Sequence, residues 1–296
     1  MGTDSIHLVT LTKGVPDFRE GQVSFDEDGH LERGKTPTVM NPNDEFALQA
    51  ALQTKVRQGG TVSLMSMGPP GYKEVLREGM ESVYADDLYL LSDREMGAAD
   101  TWATAMTLHA GLDRLEPEPD IVFAGFKTAD GETGHTGPQT AWCLEWPTIT
   151  HVIAMDVDPD ERIVRAKRLV EGDVEEIETV EAELPCFIVT DPEFEPTYRK
   201  ASHRLRHKEL RAETEARAAD LDLEEAVTVW NQETLNLDPD YIGLDGSPTI
   251  VEGVDPIPKA PSEREATEID AGDQAGMERV FEEIEPYAAD TGAAGD

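Results

Sequence analysis

Four short apolar runs, each ending at a polar or glycine-marked break and followed by a helical pattern, restrict this chain to a small set of folds. They are Ile6–Leu11 (IHLVTL), Val62–Met67 (VSLMSM), Asp87–Leu91 (DLYLL) and Asp120–Ala124 (DIVFA). Runs this short, apolar at nearly every position, read as strands buried on both faces. Between them lie helical patterns. Asn41-Pro42-Asn43-Asp44 opens the first, with Asn41 expected at the N-cap, Pro42 at the first helical position and Asp44 completing a capping box. Phe46, Leu48, Ala51, Leu52 and Val56 give that helix its apolar side, and Gly59-Gly60 stops it. Tyr72–Ser82 and Ala99–Leu115 supply two more helices. Strand and helix in regular alternation predict an α/β fold, mainly a parallel sheet with helices on both faces. Ligands of such folds sit beyond the carboxyl ends of the strands. Here those ends are the loops Lys13–Asp17, Met67–Gly71, Ser92–Asp100 and Phe126–Pro138, expected to converge with the helix start at Asn41.

The pattern changes after Pro147. Thr150–Val157, Arg162–Leu169 and Val174–Val180 read as a small antiparallel section joined by acidic turns, with Cys186–Thr190 returning to the sheet. The expected organisation is a nucleotide-binding domain over 1–190 that includes this antiparallel section (150–182). A partner-binding arm over 191–260 and an acidic, mobile tail over 261–296 follow. Pro196–Asp220 carries the densest positive charge, through Arg199, Lys200, Arg204, Arg206, Lys208 and Arg211. A solvated helix with paired charges and an exposed arm that grips a partner both fit it. Val23–Leu31, around Asp26-Glu27-Asp28-Gly29, reads as a hairpin, because the later ligands of a calcium loop are missing.

The chain has 296 residues and a formal net charge of −37, with acids scattered through every segment. Scattering of this kind suits a whole surface adapted to high salt, where screening tolerates self-repulsion. It argues against a nucleic-acid partner, which needs a basic face. Two cysteines, Cys143 and Cys186, stand far apart and form no ligand pair. No run is long enough for direct membrane insertion, and the N-terminus lacks a signal sequence, so a cytoplasmic location is expected.

The richest stretch chemically is Ala124–Pro147 (AGFKTADGETGHTGPQTAWCLEWP). A strand, a loop with Gly131, Gly134 and Gly137, and a helix expected to open at Gly137-Pro138 let backbone amides approach an anion at a helix N-terminus. Asp130 and Glu132 repel phosphate and suit ribose hydroxyls. The stretch therefore fits a nucleotide, although glycine loops also occur without a ligand. Seven histidines form no HExxH and no strong metal spacing, and GxSxG, P-loop and GxGxxG motifs are absent. A binder or carrier fits better than a hydrolase.

Several motifs, in order, resemble the beta subunit of electron transfer flavoproteins, especially its Fix-type branch. These are Lys13-Gly14-Val15-Pro16-Asp17, Met40-Asn41-Pro42-Asn43-Asp44, Ser66-Met67-Gly68-Pro69, Ser92-Asp93-Arg94 and Gly97-Ala98-Ala99-Asp100-Thr101. Asp130-Gly131-Glu132-Thr133 with Thr136-Gly137-Pro138, Glu195-Pro196-Thr197-Tyr198 and Gly246-Ser247-Pro248-Thr249 complete the series. The resemblance spans roughly Ile6 to Pro258 and leaves the acidic tail uncovered.

The resemblance implies a Rossmann-like adenine-nucleotide-binding fold and a heterodimer with an alpha subunit that holds FAD. By matching positions it implies nucleotide contacts at Leu11, Asn41, Pro42, Asn43, Asp44, Met67, Gly125, Lys127, Asp130, Gly131, Glu132, Thr133, Gly134, His135 and Thr136. The ordinary branch holds AMP there. The electron-bifurcating branch holds a second FAD, and Asp93, Arg94, Asp100, Thr101 and Thr104 resemble that branch. Plain N-capping by Asp100 and an ion pair at Arg94 are the bland alternatives. Implied redox partners are a flavoprotein dehydrogenase or a Fix-type quinone reductase. One position departs: Ala201 stands where the ordinary branch has an anchoring Leu, which weighs against docking to acyl-CoA dehydrogenases through that anchor. A stand-alone adenine-nucleotide (AMP or ATP) sensor is the alternative function.

Overall fold

A computed structural model describes residues 5–17, 37–170 and 176–250, with isolated positions 278 and 280 beyond them. The chain divides into two compact units, 1–254 and 255–296, and the fold below is that of the first. The expected hairpin at 23–31, the start of the third antiparallel strand and the acidic tail, apart from positions 278 and 280, lie outside the described residues.

Strands β1 (His7–Thr12), β4 (Thr61–Met67), β5 (Asp87–Leu91) and β6 (Ile121–Gly125) coincide with the four apolar runs, and β10 (Cys186–Thr190) is also buried throughout. Short β2 (Gly14–Pro16) and β3 (Thr38–Met40) pair with each other in a separate antiparallel ribbon. The main sheet also contains β7 (Thr148–Asp158), β8 (Ile163–Val170), β9 (Glu176–Glu183) and β11 (Val227–Trp230), in the order β11-β5-β4-β1-β6-β10-β7-β8-β9. Pairing is parallel from β11 to β7 and antiparallel from β7 to β9. The α/β class and the small antiparallel section are thus both present. β11 shows that the segment expected as an arm also contributes an edge strand of the sheet.

The order of the strands decides where a ligand can sit. Helix α1 (Asp44–Gln58) leads from β1 to β4, and α2 (Lys73–Val83) leads from β4 to β5, stepping outward on one side. Helix α3 (Thr101–Asp113) then crosses back to β6, on the other side of β1, and α4 (Thr136–Cys143) leads onward to β7. The direction reverses between β1 and β6, which leaves a crevice at their carboxyl ends. Each strand feeds both faces by its period of two. Leu8 and Phe123 join α1, α2 and α5 (Ala201–Ala219) in one core, while Val9, Leu11, Val122 and Ala124 join α3 and α4 in the other. Among the described residues no helix is long and apolar enough to cross a membrane.

Two helix starts differ from the sequence expectation. α1 begins at Asp44, its cap position is Asn43, and no side chain caps it. The Asn41 amide is drawn into tertiary bonds instead, as described below. α4 begins at Thr136, one residue before Gly137-Pro138, with His135 at the cap position.

Candidate functional site

The crevice between β1 and β6 is bridged by a network of polar groups. Lys13, just past β1, reaches Asp130 in the loop after β6, with Nζ 2.8 Å from both carboxylate oxygens. Its backbone N–H donates to Asp44 Oδ2 at 2.8 Å. Asn41, fully buried, donates from Nδ2 to Asp44 Oδ1 (2.7 Å) and to the Lys127 carbonyl (3.0 Å), and its Oδ1 accepts from Ala129 N–H (3.1 Å). Asn43 Nδ2 donates to the same carbonyl at 2.8 Å. The glycine loop is therefore tied to the start of α1 and to the end of β1.

Burial raises the Asp44 carboxyl to about 7 against hydrogen bonds from Asn41 and the Lys13 backbone and the nearby Lys13 charge, with Asp130 adding to the rise. Gly125 explains how α1 comes so close to β6. A Cβ there would lie 2.6 Å from the Asn43 carbonyl carbon and oxygen and 2.7 Å from Asp44 Oδ1. Beyond the tie, Glu132 accepts a contact from Lys127 at 3.5 Å and is exposed, as are Gly131, Thr133 and His135. Gly134 turns the chain into α4 with φ +66. His135 makes no side-chain cap, and Pro138 brings no N–H, so the first amides of α4 are those of half-buried Thr136 and Gly137.

The second half of the candidate set gathers two strands away. Asp100 caps α3, accepting from Trp102 N–H at 3.0 Å and Ala103 N–H at 2.9 Å. Its other oxygen accepts from Thr249 Oγ1 (2.6 Å) and N–H (3.0 Å), and its own N–H donates to Ser247 Oγ (2.8 Å). Burial opposes ionisation of Asp100, but the bonds from Thr249, Ala103 and Trp102 prevail and hold its carboxyl below the usual range. Asp100 thus takes the free amides at the start of α3 itself, as plain N-capping requires. Thr101 and Thr104 remain half-buried on that helix start. Asp93 accepts from Gln232 N–H at 3.1 Å and so anchors the turn after β11, while Arg94 is exposed. Leu11 is buried in the core under α3 and α4, and Met67 packs against that core. Pro42 lies in the turn just before α1.

Two groups escaped the sequence reading, and a third, His151, was legible there only as a histidine near the loop. Lys13 was part of a motif but not of the candidate set, because no local signal announces an ion pair across 117 residues. Thr10, Thr12 and Ser66 are buried, on the α1 face of neighbouring β1 and β4, and among the described residues their hydroxyls find no partner. Alternating threonines in an otherwise apolar run were the available signal. At the far end, His151 (φ 56) sits at the irregularity between β7 and β10, 3.2 Å from Asp191 and with its ring centroid 4.9 Å from that of Phe126. No cluster fit to hold a metal occurs among the described residues.

The cations of α5 and of its entry fall into two sets. Arg206 and Arg211 pair with Glu209, Glu213 and Glu215 on the helix itself, and Arg217 donates to the Ala85 and Asp86 carbonyls. Among the described residues Arg199, Lys200, Arg204 and Lys208 have no acidic partner within 4.0 Å, and Leu205 beside them is 59% exposed.

Comparison with known proteins identifies the family. The model of the electron transfer flavoprotein domain matches residues 28–226. The caffeyl-CoA reductase-Etf complex subunit CarD of Acetobacterium woodii is 35% identical over 248 residues, 83% of this chain and 86% of that protein. Protein FixA of Azotobacter vinelandii is 35% identical over 253 residues, 84% and 83% of the two chains. The electron transfer flavoprotein subunit beta of Clostridium acetobutylicum is 35% identical over 247 residues, 83% and 86%. This chain belongs to the electron transfer flavoprotein family, on the side of its beta subunits and the Fix proteins.

Proposed function

We propose that this beta subunit works in the cytoplasm as half of a heterodimer, with an alpha subunit that holds FAD, and that its own crevice holds a second FAD. The observation that carries the reading is the loop after β6, tied across the reversal point by Asn41 and by Lys13–Asp130 and leading into a helix start with no side-chain cap. That combination suits an adenylate, with its phosphate at the amides of Thr136 and Gly137. FAD is favoured over AMP alone by the second cluster. Asp93 and Asp100 of the loop after β5 are met there by Ser247 and Thr249, from a stretch about 150 residues away, and by the Gln232 backbone. The ends of β6 and β5 stand three strand spacings apart, about 14 Å, a reach that suits a dinucleotide better than a mononucleotide. FAD, when bound, supplies hydride acceptance and release of single electrons. The protein's part is to hold it, to shape its surroundings and to dock partners.

Electrons would enter from NADH or a flavoprotein dehydrogenase and leave towards a Fix-type quinone reductase, with bifurcation between two acceptors in the two-FAD version. The unpaired cations at the start of α5, in a chain of net charge −37, support that end of the helix as the docking face for an acidic redox partner. Cations at a helix N-terminus oppose the macrodipole, so helix stability does not explain them.

The deciding measurement is the cofactor inventory of the heterodimer purified from its native cytoplasm. Two FAD per pair is the expected result. One FAD plus AMP removes the second-flavin version and leaves the carrier, and absence of any adenine nucleotide overturns the crevice assignment.

A further inference from the structure

The loop after β6 is closed onto α1 by an amide that has only one workable orientation. Both hydrogens of Asn41 Nδ2 are engaged, one by Asp44 Oδ1 and one by the Lys127 carbonyl, and Oδ1 accepts from Ala129 N–H. Turning the amide over would set Nδ2 against the Ala129 donor and Oδ1 against the Lys127 acceptor. The orientation that holds the loop therefore requires an acceptor at Asp44. Both Asp44 oxygens face donors, Asn41 Nδ2 and Lys13 N–H, so the geometry suits a carboxylate. A proton on either oxygen meets a donor. On Oδ1 it displaces the Asn41 amide or inverts it, and inversion breaks both loop contacts.

We propose that Asp44 is a positioning residue that clips the 126–130 loop shut through Asn41 when ionised and releases it when protonated, so that one buried proton sets the crevice's grip on its nucleotide.

Asp44 is 5% exposed, so its protonation belongs to the fold's interior. The charged groups facing it are the Lys13 ammonium from the end of β1, which favours the ionised form, and Asp130 from the loop itself, which opposes it. From the helix entry Asn41 and Asn43 are neutral, and from β6 it is the Gly125 backbone that approaches. Lys13 and Asp130 also pair with each other, so the clip and the ion pair reinforce one another. Opening of the loop weakens both. The effect on ligand rests on the nucleotide reading above, whereas the effect on the loop does not.

The test uses the full chain in its heterodimer, at constant high salt, from pH 6 to 8. Hydrogen exchange of residues 126–130, corrected for intrinsic rate and referred to the β4 amides, reports the clip. Calorimetry with AMP alone, on complex stripped of its nucleotide, reports the ligand. In the wild type, loop protection rises at least fivefold across that range, centred near 7, and AMP binding tightens with it. Asp44→Asn, which carries a neutral amide at every pH, shows a loose loop throughout and no step. Lys13→Met keeps the step and moves it to higher pH. A wild-type loop whose protection is flat with pH overturns the proposal, as does an Asp44→Asn loop as protected as the wild type at pH 8. If the loop titrates and AMP fails to bind, the clip stands and the nucleotide reading falls. If AMP binds and the loop does not titrate, the reverse holds. Should Asp44→Asn not fold, the wild-type series decides alone.

Discussion

Helices α3 and α4 lie side by side on one face of the sheet, with Trp102 and Trp142 in contact (centroids 5.6 Å apart), yet they begin in opposite ways. α3 is sealed by its own chain. Asp100 adopts an extended backbone, takes the Trp102 and Ala103 amides, and is itself held by Ser247 and Thr249. α4 is entered through Gly134 and His135, the latter in helical conformation, and among the described residues no side chain caps it. The two share a local grammar: a strand, a polar loop and a helix. The difference teaches that a helix start binds an anion only where the chain declines to cap it. A third start, at α1, is intermediate, with no cap but a buried acid in its first turn.

That third start carries the largest expected effect, through pH. The Asp44 carboxyl stands near 7 in the fold and near its ordinary 3.8 in the unfolded chain, because burial disfavours its charge. Between those values the fold holds a proton that the unfolded chain has released. Its contribution to stability is fully present below 3.8 and is lost as pH rises through about 7. Denaturant unfolding at pH 4.5 and 8 is expected to show a steeper decline in the wild type than in Asp44→Asn, by about 3 kcal/mol. Equal slopes in the two proteins would place the proton elsewhere.

The next effect breaks the contrast between α3 and α4 directly. Thr136→Asp puts a carboxylate at the open start of α4, where it favours the helix by about 0.3–1 kcal/mol and repels a phosphate. Thermal stability is expected to hold or rise while AMP affinity falls at least tenfold, about 1.4 kcal/mol. Opposite signs in calorimetry and melting are the signature. A fall in both would mean that the substitution damages the helix and says nothing of an anion there.

These contrasts show what the amino-acid order displays and what it conceals. β1, β4, β5 and β6 were visible because strands covered on both faces read as continuous apolar runs. β11 was not recognised as a strand, since Val227–Trp230 is only four residues long and gains its meaning from parallel pairing with β5, which lies far away in the chain. The crevice was legible as a set of loops, because ligand sites in such sheets follow strand ends. The duties of individual side chains were not. Asn41-Pro42-Asn43-Asp44 has the composition of a capped helix start, and local preference alone assigns Asn41 to the cap. The fold overrides it by bringing Lys127 and Ala129 within reach of that amide. Asp130 likewise looked suited to a ribose hydroxyl, and only the tertiary structure reveals that Lys13 holds both its oxygens.

The smallest effect tests whether the sealed start is structural. Asp100→Ala removes the cap of α3 and, in the same step, the acceptor that fastens Ser247–Thr249 to it. Loss of an N-cap carboxylate costs about 1 kcal/mol. Asp100 is partly solvent-exposed, so its ionisation adds little further. The expected outcome is a modest loss in unfolding free energy with faster amide exchange at Trp102, Ala103 and Thr249, and AMP binding at the α4 side unchanged. FAD provides the sharper reading. If its diphosphate lies along α4, FAD retention follows AMP and is also unchanged in Asp100→Ala. If the variant takes up FAD more tightly than the wild type, the amides of α3 are an anion site that Asp100 normally blocks, and the two helix starts are alternatives for one ligand. A variant that loses FAD while keeping AMP would instead give Asp100 a direct part in fastening the flavin half through the Thr249 segment.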